Sequence, residues 1–333
     1  MKKLFRIVSA LILFAGLAVR VPLWARAAAE SDRFGDPPVR EELVIYGLRG
    51  PSGVGMIRLF EEPPVLPGTT VTLEALAQAN LMAAKFLAGE AKIGILPPDT
   101  AAKIASGGTR IQVAAVTGLG MLSLLSADSA VERIGDLKGR TVEVAGQGAT
   151  PDYVFRKILL SRGLRPDVDV ILGYSLAYPE IAQALIAGRV SLAMLPEPFA
   201  TMARSGNRNL RPVSDIQEEW VAAGGSGNFP MTVLVVDGDW AASHREALAT
   251  VLERLKNSIE WVVSNPAEAG ALVEKHDLGL SAPVVAAAVP RSNYVFQSAA
   301  GARPALESLY RAFLEFAPQA IGGALPADSF YWK

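Results

Sequence analysis

An internal repeat restricts the fold of this 333-residue sequence more than any other feature. Residues 85–104 and 184–203 share the pattern aliphatic-Ala-Gly, six residues, Leu-Pro, and residues 43–52 resemble residues 141–150. In each copy, the first segment has the pattern of a strand, a glycine turn and the start of a helix. The second segment has the pattern of a helix end, a glycine, a strand and a proline. The repeat predicts two α/β lobes. Chance similarity between two βαβ segments of ordinary composition is the alternative.

Short apolar runs between the helical stretches predict buried strands, because parallel strands covered on both faces are apolar throughout. These runs are residues 43–46, 93–96, 111–116, 121–126, 142–144, 192–195 and 231–236. If the lobes are separate, the chain leaves the first near residues 120–128 and returns near residues 230–238. We therefore predict two crossing strands in these places. The first lobe then comprises residues 40–122 and 236–333, and the second comprises residues 123–235.

Two helix starts are predicted in the last third of the chain. Ser243 and Glu246 have the spacing of a capping box before a helical apolar pattern. Asn265 and Pro266 suit the N-cap and first position of the next helix. Because these helices follow the second crossing, we expect them to pack on the first lobe.

The amino end has the pattern of a secretory signal peptide. Lysines and an arginine precede an apolar run at residues 7–19, and Ala25 and Ala27 provide the small residues that a signal peptidase requires. An uncleaved anchor is the alternative, because residues 21–24 lengthen the apolar stretch. Removal of residues 1–27 would take away five positive charges and change the formal net charge from −1 to −6. The expected location is periplasmic.

Composition limits the chemistry that this chain can perform. The absence of cysteine excludes disulfides, thiolate metal sites and catalytic thiols. The two histidines, His244 and His276, are too far apart in sequence to share one helix face, which disfavours a histidine metal centre. A mildly acidic mature chain lacks the clustered cations that bind phosphates, so nucleic acid is not an expected partner. We expect no cofactor and no metal.

Ligands of open α/β sheets bind beyond the carboxyl ends of the strands, and the repeat identifies the loops there. In residues 146–151, Thr150 is the expected N-cap of a helix that starts at Pro151, and glycines allow close approach to the backbone. Such a terminus suits an oxyanion. The matching loop, residues 48–53, adds the guanidinium of Arg49. Tight turns and an exposed arginine are the structural alternatives. The candidate residues here are Arg49, Gly50, Ser52, Gln147, Ala149 and Thr150.

A second group of candidates surrounds the other strand ends. Prolines on both sides of Glu197 restrict its backbone, so its carboxylate and Phe199 would point in fixed directions toward a ligand amine or ring N–H. A helix N-terminal Glu is the alternative. Tyr174 and Tyr178 could stack on a ligand or belong to the core. The remaining candidates, next to the repeated strand end or the crossings, are Pro97, Thr117 and Asn228.

Enzyme signatures are scarce in this sequence. It contains no GxSxG elbow, no GxxxxGK[ST] phosphate loop, no HExxH pair and no complete GxGxxG fingerprint. Binding therefore explains the patterns better than catalysis does.

Several segments resemble one known family. Residues 135–153, followed by Arg162-Gly163-Leu164, are similar to the DLKGKT, strand, GxGxTP(E/D)Y and NGL segment of ABC-transporter substrate-binding proteins of the nitrate/sulfonate/taurine and thiamine-precursor-like (NMT1-like) family. Further similar segments are MLPEPFATMA (194–203), PRSNYVFQ (290–297) and GGALPADSFYW (322–332). The resemblance implies a type II periplasmic-binding fold, with two α/β lobes joined by two crossing strands.

The resemblance also implies a function. The expected protein clamps a small organic ligand, anionic or heteroaromatic, between its lobes and delivers it as a monomer to an ABC permease and its ATPase. An enzyme on the same scaffold, such as a menaquinone-pathway lyase or dehydratase, is the alternative, with Glu197 as its acid or base. A sensor or adaptor lobe of a membrane receptor is a third class.

Overall fold

The computed structural model describes residues 40–144 and 146–333. The predicted signal peptide, residues 1–27, lies outside the described residues. Within the described ranges, no helix combines the length and the apolar character that crossing a membrane would require.

The described residues form eleven strands in two sheets. The strands are β1 Glu41–Leu48, β2 Thr69–Leu76, β3 Ile93–Leu96, β4 Ile111–Leu119, β5 Leu122–Ser126, β6 Thr141–Val144, β7 Ile171–Gly173, β8 Leu192–Pro196, β9 Arg211–Asp215, β10 Pro230–Asp237 and β11 Tyr294–Ser298.

Thirteen α-helices connect and cover these strands within the same described ranges. They are α1 Pro51–Gly55, α2 Ile57–Glu61, α3 Ala79–Leu87, α4 Pro98–Ser106, α5 Thr150–Ser161, α6 Tyr178–Ile186, α7 Phe199–Gly206, α8 Ile216–Ala222, α9 Gly238–Ser243, α10 Arg245–Ser264, α11 Pro266–Lys275, α12 Ala282–Ala288 and α13 Ala299–Phe316.

The two sheets repeat one strand order. The first is ordered β11-β4-β10-β3-β1-β2 and the second β7-β6-β8-β5-β9. The strands of the sequence repeat are parallel neighbours in each sheet, β1 beside β3 and β6 beside β8. An antiparallel strand then follows in each, β10 beside β3 and β5 beside β8. The repeat in the sequence therefore corresponds to a repeat in topology. We call each sheet with the helices packed on it a lobe, the first containing β1 and the second containing β6.

The strands are apolar throughout because both faces of the sheets are covered. Adjacent residues Leu124 and Leu125 of β5 belong to different apolar cores, and so do Val233 and Leu234 of β10. Side chains alternate between faces along a strand, so both faces must be buried to accommodate such runs. All seven predicted runs lie in strands, apart from Met121 just before β5.

The first crossing lies where the sequence predicts it, and the second does not. The chain leaves the first sheet at Leu119 and enters the second at Leu122. It returns between the end of β9 and the start of β10, through α8 and the glycine-rich residues 223–229. The prediction of a crossing strand at residues 230–238 was wrong, because β10 pairs with β3 and β4 inside the first sheet. The predicted lobe boundaries stay a prediction.

Asparagine side chains hold the two crossings together. Gly120 is buried between the sheets, and its N–H donates to Asn228 Oδ1 of the return crossing at 3.1 Å. Asn293 Nδ2 donates to the Gly120 carbonyl. Next to this point, the hydroxyls of Thr117 and Thr232 form a hydrogen bond of 2.9 Å between β4 and β10. Asn228 therefore joins the two crossings, and Thr117 joins β4 to β10 beside them.

The helix-start predictions had different outcomes. Asn265 is the N-cap residue and Pro266 the first residue of α11, as predicted. Ser243 instead ends α9, because its hydroxyl donates to the carbonyls of Asp239 and Trp240, and α10 begins at Arg245. The helix α10 packs on the first lobe, where the Ser258 hydroxyl donates to the Gly55 carbonyl at 2.9 Å.

Asn228→Leu should lower the free energy of unfolding by about 1–3 kcal/mol, since the buried Gly120 N–H would lose its acceptor. Asn228→Asp is the matched control, because it keeps a side-chain oxygen at the same place. Urea unfolding followed by circular dichroism measures both. Equal losses in the two variants would show that this hydrogen bond is not what stabilises the crossing.

Candidate functional site

The loop after β1 reaches the opposite lobe through Gly50. This residue has φ = 90°, a left-handed backbone that glycine adopts without strain, and it is the N-cap of α1. A β-carbon built on Gly50 would lie 3.5 Å from two ring carbons of Phe199, at the start of α7 in the second lobe. Ser52 is partly buried in α1. Arg49 is half exposed, and its Nη2 lies 3.7 Å from Asp277 Oδ2.

The loop after β6 uses part of its hydrogen-bonding capacity internally. The N–H of Gly148 donates to Asp152 Oδ2 at 2.8 Å, and the N–H of Ala149 donates to the Gly146 carbonyl at 3.0 Å. These two amides are therefore already occupied, although the sequence favours an oxyanion at this helix terminus. The helix α5 begins at Thr150 with Ala149 as its N-cap, so the prediction of Thr150 as N-cap was wrong.

The Thr150 side chain does not cap α5 because it bonds to the other lobe. Its hydroxyl donates to Asp99 Oδ1 at 2.8 Å, and both side chains are buried. Asp99 is the second residue of α4, whose N-cap is the partly buried Pro97. The Thr100 hydroxyl also donates to Asp99, at 3.4 Å. The N-termini of α4 and α5 thus meet at one carboxyl group across the gap between the lobes.

Burial dominates the electrostatics of Asp99. It raises the pKa of this carboxyl, while hydrogen bonds from Thr150, Thr100 and neighbouring amides oppose the shift. Its negative charge contributes to the raised pKa values of Tyr153, Tyr178 and Tyr310, after the larger contribution of burial. The Asp99 carboxyl therefore acts on the pKa values of three tyrosines.

Two aromatic rings of the second lobe stack next to the loop after β1. Tyr178, the first residue of α6, stacks on Phe199 with ring centroids 5.8 Å apart and planes at 27°. The Tyr178 hydroxyl oxygen lies 3.5 Å from a β-carbon built on Gly146. The two rings thus connect the loops after β1, β6 and β8, and form an apolar wall at the junction of the lobes.

Glu197 is buried at the start of α7, with 1% of its surface exposed. Its Oε2 accepts the N–H of Thr201 at 2.9 Å, while its Oε1 has no partner. Burial raises the pKa of Glu197, and the Thr201 hydrogen bond and the charges of Arg291 and Arg204 oppose this. Glu197 therefore accepts a hydrogen bond at the N-terminus of α7, which was the structural alternative to a ligand-binding role. The charge of Glu197 also contributes to the raised pKa of the buried Tyr294 in the first lobe, after burial itself.

Gln147 and Tyr174 lie on the outer side of this loop. Gln147 is exposed and lines a cavity of about 400 Å³ together with Tyr153, Arg156 and Phe316. The Tyr174 hydroxyl donates to Asp152 Oδ1 at 2.7 Å and accepts from Arg156 at 2.8 Å. Tyr174 therefore belongs to a structural network that orders the start of α5.

The structure brings together part of the predicted set. Four of its members meet across the gap between the lobes: Gly50, Thr150, Tyr178 and Phe199. Thr117 and Asn228 lie at the crossings. Arg49 pairs with Asp277, which is not one of the predicted site residues. Sequence reasoning missed Asp99. The repeat offered a signal, since the loop after Leu96-Pro97 matches the loop after Leu195-Pro196, and only the acid of the second loop was considered.

The chemical groups of the site come from both lobes. They are buried carboxyl groups, hydroxyls and aromatic rings. Across residues 40–144 and 146–333, no group of three or more acidic or histidine side chains is placed to hold a metal ion.

Asp99→Asn should reduce, by a few degrees, the loss of melting temperature between about pH 4 and pH 7. The raised pKa means that neutral Asp99 stabilises the fold; this contribution is complete below the ordinary value of 3.8 and is lost as pH rises through the raised pKa. The asparagine variant stays neutral throughout. Differential scanning calorimetry measures the effect, with exposed Asp277→Asn as control. A pH profile identical to that of the wild type would contradict this account of Asp99.

Comparisons with known proteins agree with this architecture. A crystal structure of an ABC transporter from Parabacteroides distasonis is 26% identical, with a TM-score of 0.73, over 87% of this chain and 98% of that one. The periplasmic aliphatic sulphonate binding protein SsuA from Escherichia coli is 18% identical, with a TM-score of 0.69, over 88% of this chain and 92% of that one.

The periplasmic nitrate-binding protein NrtA from Synechocystis is 12% identical, with a TM-score of 0.55, over 75% of this chain and 70% of that one. These likenesses confirm the two-lobe periplasmic-binding fold. The three proteins are described as transport or binding proteins and not as enzymes. A search of curated proteins found no match. Residues 65–275 match the NMT1-like family, and because this match covers more than half of the sequence, the chain belongs to that family.

Proposed function

We propose that this protein is the extracytoplasmic solute-binding component of an ABC importer, and that it binds a small organic solute between its lobes. One observation carries the proposal. The loops that follow equivalent strands in two separate sheets meet at one place, where Gly50 faces Phe199 and Asp99 bonds to Thr150. Loops at the carboxyl ends of strands are the usual ligand-binding position of such sheets.

Family membership and the similar solved structures support this function over the enzyme alternative. The similar protein from Parabacteroides distasonis is described as an ABC transporter. Those from Escherichia coli and Synechocystis are described as binding aliphatic sulphonates and nitrate. The proposed partners of this chain are accordingly a membrane permease and its ATPase, and the proposed state is a monomer.

Solute binding requires the lobes to separate and close again. In the present conformation, Tyr153 of α5 packs edge-on against Phe313 of α13, with ring centroids 4.8 Å apart. Lys157 Nζ also lies 2.9 Å from Glu315 Oε2, between the same two helices. Motion about the crossings at Gly120 and residues 223–229 would open these contacts. A solute that touches both lobes would stabilise the closed form over the open one.

We propose that the solute contacts the loops of both lobes. The candidate set is Arg49, Gly50, Ser52 and Pro97 from the first lobe, Gln147, Ala149, Thr150, Tyr178, Glu197 and Phe199 from the second, and Thr117 and Asn228 at the crossings. Tyr178 and Phe199 would contact the flat or apolar part of the solute. The enzyme alternative would use Glu197 as a general acid or base.

Native mass spectrometry of the purified protein, before and after denaturation, tests the proposal. A stoichiometric small molecule that is released chemically unchanged supports solute binding. Turnover of that molecule by the wild type, abolished in Glu197→Gln, would contradict it and establish an enzyme.

Phe199→Ala should weaken binding of the released molecule about tenfold or more, because the ring packs between the lobes and burial of a phenylalanine contributes about 1.5–3 kcal/mol. Isothermal titration calorimetry measures the affinity. Phe60→Ala is the control, because Phe60 packs beside Gly47 in the first lobe, away from the facing lobe. Equal effects of the two substitutions would show that Phe199 acts only through stability.

The exported chain should begin at Ala28, because Ala25 and Ala27 satisfy the small-residue requirement of signal peptidase. Intact-mass measurement of the protein from a periplasmic extract gives the processed terminus. Ala27→Phe should block processing. Recovery of the full 333-residue chain in the membrane fraction would favour the uncleaved anchor.

A further inference from the structure

We infer that Gln217 regulates the balance between touching and separated lobes, because its side chain places an unsatisfied amide against the pivot of the first crossing. Gln217 is the second residue of α8 and lies outside the candidate site. The inference rests on the proposed function, since solute binding requires the lobes to move. It adds a residue that controls this movement without contacting the solute.

The hydrogen bonds of the first crossing leave one residue as the pivot. The Leu119 N–H donates to the Asn293 carbonyl at 3.1 Å, and Asn293 Nδ2 donates to the Gly120 carbonyl. These bonds hold the chain to the first lobe as far as Gly120. The Met121 carbonyl accepts the Glu197 N–H at 2.8 Å, which holds it to the second lobe. Because peptide units are planar and the two units that flank Met121 are held, rotation between the lobes is concentrated in its φ and ψ.

The backbone of Gln217 is fixed to the second lobe. Its N–H donates to Asp215 Oδ1 at 2.8 Å, and Asp215 pairs in register with Ser123 of β5. Further along α8, Glu219 Oε2 lies 2.7 Å from Arg162 Nη2 at the end of α5. When the second lobe rotates, Gln217 therefore moves with it.

The side-chain amide of Gln217 lies against the pivot. A β-carbon built on Gly120 would collide with Nε2 and Oε1 of Gln217, so the amide occupies the space that a side chain at Gly120 would need. Gly120 is held to the first lobe and Gln217 to the second. This contact therefore exists only while the lobes keep their present orientation, and rotation about Met121 would move the amide away from Gly120.

The contact is unfavourable for the amide oxygen. Gln217 Oε1 is buried and has no hydrogen-bond partner among the described residues, although buried side-chain oxygens are normally satisfied. Such an oxygen loses its hydration and gains nothing in exchange. Separation of the lobes would return it to water. The amide thus opposes the touching arrangement, so that this arrangement depends more strongly on the contacts that a solute would add.

Two substitutions of Gln217 should shift the balance in opposite directions. Gln217→Met keeps the length of the side chain and removes the unpaired oxygen, which favours touching lobes. Gln217→Glu puts a carboxylate in the same contact, where burial of charge is costly, and so favours separated lobes. A purely structural role predicts no such loss in Gln217→Glu, because an acidic residue in the first turn of α8 stabilises the helix.

Spin labels can report the separation of the lobes, because the chain contains no cysteine of its own. Ala287 of α12 and Ser205 of α7 are exposed, and these two helices pack against each other across the lobes. Ala287→Cys and Ser205→Cys provide the two labelling sites. Double electron–electron resonance on the full processed protein, without solute, then gives the fractions of short and long distances.

We expect the ratio of touching to separated molecules to rise about tenfold in Gln217→Met and to fall about tenfold in Gln217→Glu, from the cost of an unsatisfied buried group. Gln183→Met and Gln183→Glu are the matched controls, because Gln183 is exposed on α6 of the same lobe. The control variants should keep the distances of the wild type.

The outcomes separate this inference from the proposed function. A shift in its expected direction by at least one Gln217 variant, and in the wrong direction by neither, supports the inference. No shift in either variant, or a shift in the wrong direction, overturns it whether or not the protein binds a solute. If one variant fails to fold, the direction of the shift in the other decides.

Calorimetry with the compound released from the purified protein connects the balance to binding. Affinity should rise in Gln217→Met and fall in Gln217→Glu, because it follows the fraction of molecules in the binding-competent arrangement. Expected distance shifts in a protein that retains no compound would contradict the proposed function and leave the role of Gln217 in the balance intact.

Discussion

The buried hydrogen bond between Thr150 and Asp99 is the contact on which the arrangement of the site depends. It joins the first turns of α4 and α5, which belong to different lobes, at 2.8 Å. A buried carboxyl group is costly unless donors surround it, so this contact is favoured only while those donors stay in place. The same contact occupies the helix terminus that would otherwise attract an external anion. The placement of the two helix starts relative to each other thus depends on one pair of side chains.

The repeated strand order of the two sheets explains why this contact exists. The strand order of each sheet places the ends of two parallel strands side by side, β1 with β3 and β6 with β8. The loops that follow these strands therefore cluster at one edge of each sheet, and the crossings turn the two edges toward each other. The asparagines around Gly120 stabilise this orientation, since they satisfy the backbone of the first crossing.

Prediction from sequence succeeded where one periodic signal determined the structure. The apolar runs were strands, and Asn265 and Pro266 began a helix as expected. It failed where a polar side chain had two partners within reach. Ser243 bonded to the helix before it, and Thr150 bonded to the facing lobe, although both have the local pattern of an N-cap. The second crossing was misplaced because the apolar run of β10 would suit a crossing strand or a central strand of a sheet. Only its pairing with β3 and β4 shows that it is a central strand.

The sequence by itself determined the two α/β units, most of their strands and the loops that follow them, because repeats and apolar periodicity are local properties. Only the tertiary structure decided which of those loops meet and what their polar groups bind. Asp99 and Thr150 are 51 residues apart, and no local pattern shows that one satisfies the other. Hydrogen-bond partners in a cleft depend on how two lobes are oriented, and that orientation results from packing over the whole chain.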